Sequence, residues 1–308
     1  MSVAHWPTRG APAPRARSAE GPALLCLLLV AAAAPAVAGS AELSRRTGAD
    51  APAYTLGVFP YLSATTLEDV YSPIAAELAR SLGRPVRFAT TSSYEAFAQK
   101  LRDGEYDIAF VQPFDYAGTA SRAGYLPVAA AYHTIEAVFF VTDRSPIQSA
   151  AELRGRTIGL PPKPSAVSYL ARMALLEKGL RPGVDVRLRH FSSHQSCLQQ
   201  LLIGNVDSCV SAADIARIFE SRMRTHLRFI LKSPTIPAPL FVAHARLPGG
   251  ERERIRETLV STELAGIPPQ LRHLFTRGGE LKDRYFRAVP DSEYDKVRRY
   301  LQSLGPEP

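Results

Sequence analysis

The sequence predicts an α/β fold, and three features of the 308-residue chain support this prediction. From Tyr54 onward, short apolar runs of strand type alternate with segments whose apolar residues recur at helical spacing. Strands that alternate with helices of this length are typical of parallel βαβ units. The second half of the chain repeats the plan of the first, and the chain beyond its first forty residues is long enough for two modest cores. We therefore expect two α/β lobes.

The predicted elements alternate along both halves of the chain. Pro60 ends the first strand, and a Ser-x-x-Glu pattern at Ser149 is typical of a helix start. The segment 232–239 contains three prolines and is interpreted as a crossing between the lobes. The predicted strands are 54–59, 86–90, 108–111, 128–132, 137–142, 157–160, 184–190, 206–210 and 227–231, and the predicted helices are 72–82, 94–101, 114–122, 149–153, 165–178, 196–203, 249–264, 268–276 and 291–303.

A sequence repeat one hundred residues apart indicates that the lobes share a structural unit. In each copy, two serines open a helix, and a glycine and an aspartate follow before a strand. The matched pairs are Ser92 and Ser192, Ser93 and Ser193, Tyr94 and His194, Gln99 and Gln199, Leu101 and Leu201, Gly104 and Gly204, and Asp107 and Asp207. Each lobe is therefore predicted to carry the same serine-capped helix, turn and strand.

The repeat places candidate ligand contacts at one edge of each lobe. In open α/β sheets, ligands bind at the carboxyl ends of strands, where helix N-termini present free N–H groups and a positive dipole end. Two such edges that face each other form a cleft suited to an oxyanion. Tyr94 and His194 each lie in a first helical turn, so both are candidate contacts, and the alternative is that they only cap or pack.

Two further helix starts supply candidate contacts. Gln112 and Pro113 follow a predicted strand and precede a helix. Gln112 can both donate and accept hydrogen bonds, and Pro113 suits a first helical position. Ser165, between Pro164 and Ala166, is predicted to be an N-cap whose hydroxyl and following N–H groups can hold an anion, with simple capping as the alternative.

Residues 1–38 have the features of a secretory signal. Three arginines precede an apolar run at 23–34 that is too short to span a membrane, and Ala36-Val37-Ala38 forms a small-x-small cleavage site. An uncleaved anchor helix is the alternative. We expect the protein to be periplasmic, with residues 39–52 as a flexible N-terminal tail.

The charge distribution argues against nucleic acid as a partner. The chain carries 37 basic and 29 acidic residues, and the two signs are interspersed. No Lys/Arg run with interleaved aromatic residues occurs in the sequence. The small basic excess is compatible with a small anionic ligand.

Cys197 and Cys209 are the two cysteines that follow the leader. Cys197 lies in the first turn of a predicted helix, Cys209 lies at the far end of the next strand, and Gly204-Asn205 turns the chain between them. An even pair in an oxidising compartment predicts a disulfide. Two buried thiols, or one thiol that binds a soft ligand, are the alternatives.

No residue pattern in the sequence requires catalysis, a metal or a cofactor. His194 and Cys197 can be considered as a nucleophile pair, but no orienting group is identifiable and a disulfide would remove the thiol. His190 ends a predicted strand, so it does not share a helix face with His194 for metal binding. Dinucleotide-binding, phosphate-loop and serine-hydrolase motifs are absent from the sequence. We predict a binding protein without cofactor or metal, and not an enzyme.

Three stretches carry a family resemblance: 57–83, which begins Gly-Val-Phe-Pro; 94–110, which ends Asp-Ile-Ala-Phe; and 149–159, which reads Ser-Ala-Ala-Glu-Leu-Arg-Gly-Arg-Thr-Ile-Gly. They resemble the periplasmic phosphate/phosphite/phosphonate-binding proteins of ABC importers, the PhnD-like family. The resemblance covers residues 54–304. It implies a type II periplasmic-binding fold, in which two α/β lobes are joined by two crossover segments and hold the ligand between them.

The resemblance also implies roles for individual residues. Tyr94 matches a tyrosine that hydrogen-bonds the phosphonate group, and His194 matches a cleft histidine. Ser165 matches the start of a Ser-Thr-Ser turn that grips the oxyanion, but Ala166 and Val167 replace its second and third residues, so another oxyanion or a smaller polar solute is an alternative ligand. Gln112 matches a cleft-lining position, and Asp214 lies near an acidic site that can hold a ligand amine. The expected ligand contacts are Tyr61, Tyr94, Gln112, Pro113, Ser165, Ala166, His194 and Asp214.

The predicted function is that of a monomeric periplasmic solute-binding protein that captures a small oxyanion by closure of two lobes and delivers it to an ABC permease. Lobe 1 is expected to comprise 53–142 and 236–308, and lobe 2 to comprise 143–235. The crossings are expected near Thr142–Pro146 and Lys232–Pro239. Two alternatives stay open: a ligand-sensing subunit that hands its closed form to a histidine kinase, and a His/Cys-dependent enzyme on the same fold.

Overall fold

A computed structural model of the protein describes residues 52–261 and 285–304. The described strands are β1 Tyr54–Val58, β2 Val86–Ala89, β3 Ile108–Val111, β4 Tyr125–Ala131, β5 Thr134–Ile135, β6 Val138–Thr142, β7 Thr157–Leu160, β8 Arg187–His190, β9 Ser208–Ser211, β10 Leu227–Lys232, β11 Ile236–Pro237, β12 Leu240–His244 and β13 Phe286–Ala288. The described α-helices are α1 Ala64–Leu82, α2 Tyr94–Arg102, α3 Pro113–Asp115, α4 Ala166–Glu177, α5 His194–Leu202, α6 Ala213–Met223, α7 Gly249–Ser261 and α8 Asp295–Ser303. A π-helical turn, Tyr116–Ala120, continues α3, and 3-10 turns lie at Ala150–Leu153 and Asp291–Tyr294.

Two mixed sheets organise the described residues. Sheet I has the order β13-β4-β12-β3-β1-β2, and sheet II has the order β10-β6-β9-β7-β8. In sheet I, β2, β1 and β3 are parallel, and β12 is antiparallel to β3. In sheet II, β8, β7 and β9 are parallel, and β6 is antiparallel to β9. The predicted α/β fold with two repeated halves is therefore confirmed, and the parallel parts of both sheets share one strand order.

The sequence repeat is also a structural repeat at its helix ends. The hydroxyls of Ser93 and Ser193 cap α2 and α5, and each accepts the N–H three residues ahead, at 3.1 and 3.0 Å. Beyond each helix, Gly104 and Gly204 adopt φ of 67° and 78°, a region in which a side chain would be strained. The same cap and the same turn thus position the Tyr94 and His194 helices.

The aspartates of the repeat join each helix–turn unit to its sheet. A carboxylate oxygen of Asp107 accepts the backbone N–H of Thr55 at 2.9 Å, and a carboxylate oxygen of Asp207 accepts that of Thr157 at 2.8 Å. Thr55 lies in β1 and Thr157 begins β7, so each aspartate ties the start of one strand to the strand beside it. This shared contact explains why both copies of the repeat end in aspartate.

The first helix starts earlier than the sequence predicted. The expected helix 72–82 begins at Ala64, because the hydroxyl of Ser63 accepts the N–H of Thr66 at 3.2 Å and caps the helix there. Pro73 lies inside α1 and does not end it. The buried face of α1 continues over both sides of the proline, so packing outweighs the backbone hydrogen bond that a proline cannot donate.

One lobe boundary needs correction at strand β6. The sequence analysis assigned residues up to Thr142 to the first lobe, but β6 pairs with β9 and β10 in sheet II. Val138 to Val141 are almost completely buried, and a short apolar strand carries no local signal that tells which sheet it joins. The change from sheet I to sheet II therefore lies before Val138.

The crossings between the sheets form a small ladder of their own. β5 and β11 pair antiparallel, with Ile236 opposite Ile135 and Pro237 opposite Thr134. The second crossing lies within the expected segment 232–239, whereas the first lies before β6 and not at Thr142–Pro146. The β5–β11 ladder therefore forms a third, two-stranded sheet in the connection between sheets I and II.

Some predicted segments lie outside the described residues, and two described strands were not predicted. The secretory leader 1–38, nearly all of the tail 39–52 and the predicted helix 268–276 lie outside them. The sequence analysis did not predict β12 or β13, which complete sheet I. Within residues 52–261 and 285–304, no helix combines the length and the hydropathy that a membrane span needs.

Candidate ligand-binding cleft

The side chain of Gln112 connects the carboxyl end of a strand in sheet I with the carboxyl end of a strand in sheet II. Gln112 follows β3 of sheet I, and its Nε2 donates to the carbonyl oxygen of Pro164 at 2.6 Å while its Oε1 accepts the N–H of Ala166 at 2.7 Å. Phe114 and Tyr169 stack nearby, with ring centroids 4.5 Å apart. Pro164 and Ala166 follow β7 of sheet II, so the helix starts predicted to share a cleft do lie together.

Tyr61 and Tyr94 lie together on the sheet I side of this cleft. The ring of Phe59 stacks on Tyr61 at 4.7 Å between centroids and lies 6.1 Å from Tyr94. The phenolic oxygen of Tyr61 lies 3.0 Å from that of Tyr71. Burial raises the pKa of both Tyr61 and Tyr94 above the ordinary tyrosine value. Both phenols therefore stay protonated and can donate a hydrogen bond.

His194 lies on the sheet II side, at the first residue of α5. Its Nδ1 is 2.9 Å from the hydroxyl oxygen of Ser211, which ends β9 and is fully buried. Burial lowers the pKa of His194 to about 4, and the neighbouring Asp214 carboxylate acts in the opposite direction. The imidazole is therefore neutral near pH 7. When the Ser211 hydroxyl donates to Nδ1, the ring proton is on Nε2, where it can be donated to a ligand oxygen.

A disulfide joins the two elements that carry this histidine and serine. Cys197 of α5 and Cys209 of β9 are bonded, with their Cα atoms 5.9 Å apart, which confirms the predicted pairing. Both cysteines are fully buried. The bond fixes α5 to β9 one turn beyond His194 and two residues before Ser211, so it supports the geometry of their contact.

Asp214 lies close to groups from both sides of the cleft. It is exposed in the first turn of α6. Burial lowers the pKa of His133 and His194, and the Asp214 carboxylate partly opposes this, whereas it adds to the rise that burial causes in the pKa of Tyr61. Tyr61 belongs to the sheet I side, His194 belongs to the sheet II side, and His133 immediately precedes β5 in the first crossing. The Asp214 carboxylate thus adds a negative charge that all three groups sense.

His133 is a candidate cleft residue that the sequence analysis missed. Its Nδ1 is buried and has no hydrogen-bond partner within the described residues. Burial lowers the pKa of His133, so this imidazole also tends to be neutral. His133 is absent from the repeated unit and from every helix start, and its position in a crossing between the lobes is the one signal that could have identified it.

Ser165 is an N-cap, as predicted, and the serine hydroxyls of its turn form hydrogen bonds with groups of the same turn. Its hydroxyl accepts the N–H of Ser168 at 3.2 Å and donates to the Ser168 hydroxyl at 3.1 Å. The Ser168 hydroxyl reaches the carbonyl oxygens of Pro161 and Pro162 at 3.2 and 3.1 Å. Pro113 begins α3 and offers no donor. A ligand-binding role for Ser165, Ala166 and Pro113 stays a prediction.

Asp115 is the second candidate cleft residue that the sequence analysis missed. Its carboxylate accepts a hydrogen bond from Nε2 of Gln112 at 3.0 Å. Burial raises the pKa of Asp115 to about 7, although the Gln112 hydrogen bond favours the charged form. Asp115 also acts on the pKa of Tyr94, which places it on the sheet I side of the cleft.

Metal ligands do not cluster in the part of the chain that the structure describes. No group of three or more His, Cys, Asp or Glu side chains there could hold a metal ion. Nδ1 of His190 lies 2.8 Å from the carbonyl oxygen of Pro161, so its ring is held at the end of β8 and apart from α5.

Comparison by sequence relates the chain to one protein family. A family model described as the periplasmic substrate-binding protein of a phosphonate ABC transporter matches residues 56–303. No curated protein matches the sequence at a significant level. The family match covers most of the chain, including nearly all of both sheets and every candidate cleft residue.

Solved structures support the same fold. PhnD1 from Prochlorococcus marinus, in complex with methylphosphonate, has a TM-score of 0.70 at 14% identity, covering 82% of this chain and 98% of that one. A binding protein component of an ABC phosphonate transporter from Pseudomonas aeruginosa has a TM-score of 0.67 at 19% identity, covering 82% and 86%. A Xanthomonas citri protein bound to ATP has a TM-score of 0.65 at 17% identity, covering 82% and 98%. At these identities the comparisons establish the shared fold.

Proposed function

The chain belongs to the family of periplasmic substrate-binding proteins of ABC phosphonate transporters, and from this premise we propose that it captures a small phosphonate-like oxyanion between its two sheets. Members of this family are binding components of transporters and not enzymes. The proposal therefore concerns what is bound, by which residues and by what motion.

The paired positions of Tyr94 and His194 carry the proposal. The two residues occupy the same place in the structural repeat, each as the first residue of a serine-capped helix at the carboxyl end of a sheet. A protonated phenol and a neutral imidazole are both hydrogen-bond donors, and donors from two walls can share the oxygens of one tetrahedral group. Tyr61 is positioned to add a third donor.

Asp214 narrows the class of ligand. Its carboxylate would repel a bare anion, but it would attract an amine at the other end of the same molecule. His133, whose Nδ1 has no hydrogen-bond partner among the described residues, adds a neutral polar group that senses that carboxylate. We infer that the favoured ligand is zwitterionic, with an oxyanion near Tyr94 and His194 and an amine near Asp214.

Capture is proposed to occur by closure about the β5–β11 ladder. This ladder joins the two sheets, and the candidate contacts lie on both sides of it. Closure would remove water from around the ligand and strengthen each hydrogen bond to it. In this proposal the leader 1–38 directs the chain to the periplasm, and the closed monomer delivers its ligand to the permease in the inner membrane.

A thermal-shift screen tests the proposed ligand class. The purified protein is heated with phosphate, phosphite, methylphosphonate, 2-aminoethylphosphonate, sulfate and alkyl sulfonates. A ligand present at one hundred times its dissociation constant stabilises the folded state by about 2.7 kcal/mol. We expect 2-aminoethylphosphonate to give the largest shift, and His194→Ala, with about tenfold weaker binding, to lower the stabilisation to about 1.4 kcal/mol while the unliganded protein stays folded.

A matched histidine variant controls this screen. His226 is exposed and contacts Glu220 on α6, away from the candidate contacts. His226→Ala should therefore keep the wild-type shift. If no oxyanion shifts the wild-type protein, the ligand class is wrong, and if His194→Ala keeps the shift, His194 is not a ligand contact.

A further inference from the structure

Every polar group of the Gln112 side chain is used by the protein itself. Gln112 is 2% exposed. Its Nε2 donates to the Pro164 carbonyl and to the Asp115 carboxylate, and its Oε1 accepts the Ala166 N–H. Two acceptors around the nitrogen and one donor at the oxygen fix the orientation of the carboxamide.

The N–H of Ala166, which donates to Gln112, lies at the start of a helix. Ala166 is the first residue of α4, a helix of 12 residues capped by Ser165. The first N–H groups of a helix have no partner within it, and they lie at the positive end of the helix dipole. An oxygen acceptor is therefore favoured at this point, and in this protein that acceptor is the Gln112 carboxamide, which reaches across from the end of β3.

We propose that Gln112 is a specificity-determining residue that competes with the ligand: its carboxamide oxygen occupies the Ala166 N–H and so withholds the start of α4 from the bound oxyanion. This inference rests on the proposed function of the cleft. It replaces the expectation that Gln112 itself contacts the ligand. With the Ser165 hydroxyl also engaged, the oxyanion is held from the Tyr94 and His194 sides alone.

The competition has a consequence for selectivity. The affinity for an oxyanion without other polar groups depends on the number of hydrogen-bond donors around its oxygens. Such a ligand therefore loses the most affinity when one donor is withheld. A ligand that also carries an amine keeps its contact with Asp214 and loses proportionally less. Gln112 therefore disfavours methylphosphonate relative to 2-aminoethylphosphonate.

Calorimetric titration of Gln112 variants tests the competition. Gln112→Ala removes the acceptor and leaves Ala166 N–H open, so we expect it to bind methylphosphonate at least tenfold more tightly than the wild type, with a smaller gain for 2-aminoethylphosphonate. If the alanine variant does not fold, Gln112→Asn takes its place. Its side chain is shorter by one methylene, and it should also bind both ligands more tightly than the wild type. Gln112→Met fills the space without an acceptor and blocks the N–H, so it should bind no more tightly than the wild type.

An amide NMR signal gives an independent readout. In Gln112→Ala, added methylphosphonate should move the Ala166 amide resonance, whereas in the wild type the same resonance should stay near its unliganded position. Weaker or equal binding by both Gln112→Ala and Gln112→Asn, while the wild type binds, would overturn the competition and leave the proposed function intact. No binding by the wild type or any variant would overturn both.

Discussion

Nδ1 of His194 lies 2.9 Å from the hydroxyl oxygen of Ser211, and the Cys197–Cys209 disulfide joins the same helix to the same strand. A histidine at a helix start is free to rotate unless something holds its ring. Here the Ser211 hydroxyl contacts one ring nitrogen, and the disulfide joins the backbones of α5 and β9. The geometry leaves Nε2 as the nitrogen available to a ligand.

Loss of the Ser211 hydroxyl should weaken ligand binding through His194. A hydrogen bond of this kind contributes about 0.5–1.5 kcal/mol, so Ser211→Ala should raise the dissociation constant between roughly twofold and tenfold. Titration calorimetry measures the change. Ser211→Ala should have no effect in a His194→Ala background, and an equal loss in both backgrounds would show that Ser211 acts independently of the histidine.

Removal of the disulfide should destabilise the protein. The bonded cysteines are separated by 12 positions, and closing a loop of that size is worth about 3 kcal/mol. The double variant Cys197→Ala, Cys209→Ala should lose about that much free energy of unfolding in a urea titration. Wild-type protein with dithiothreitol throughout should show a similar loss, and a midpoint unchanged by reduction would contradict the prediction.

The depressed pKa of His194 predicts a stability loss in acid. The folded-state pKa is about 4 and the ordinary value is 6.5, so between these values the unfolded chain binds a proton that the folded protein does not. Stability relative to a His194→Asn variant should be constant above pH 7. Below pH 6.5 it should fall by at most about 1.4 kcal/mol per pH unit. A pH-independent difference in the free energy of unfolding would contradict the lowered pKa of this imidazole.

The contribution of Asp115 to stability should depend on pH in the opposite direction to that of His194. The folded-state pKa of Asp115 is about 7 against an ordinary 3.8, so its contribution to stability falls as the pH rises through this window and stays low above pH 7. Asp115→Asn keeps an acceptor for Nε2 of Gln112 and carries no charge. Its melting temperature, relative to the wild type, should be higher at pH 8 than at pH 5, and a gap that narrows toward pH 8 would contradict the assignment.

Local signals explain what the sequence predicted well. Serine before a first helical turn identifies a cap by its chemistry, and this held at Ser93, Ser165 and Ser193. The disulfide followed from Cys197 and Cys209 lying on a helix and a strand joined by one turn. The repeat linked these signals across the two halves, so the fold and the edges that form the cleft were predictable.

Non-local pairing explains what was missed. The sheet that β6 joins depends on partners far along the chain, and its apolar run fits either sheet. Gln112 and Ala166 are 54 residues apart, so no spacing rule predicts that they bond. Asp115 and His133 owe their environments to side chains brought from other elements, and the ligand roles of all the cleft residues stay predictions.

The central claim is that a single ligand is held between the two sheets, and the affinities of Tyr94→Phe and His194→Asn test it most directly. Tyr94 extends from the helix after β2 in sheet I, and His194 from the helix after β8 in sheet II. In calorimetric titrations with 2-aminoethylphosphonate, each substitution alone should weaken binding about tenfold, on the order of 1.4 kcal/mol, while the unliganded melting temperature changes little. Wild-type affinity in either variant would mean that the ligand touches one wall only, and would contradict capture between the lobes.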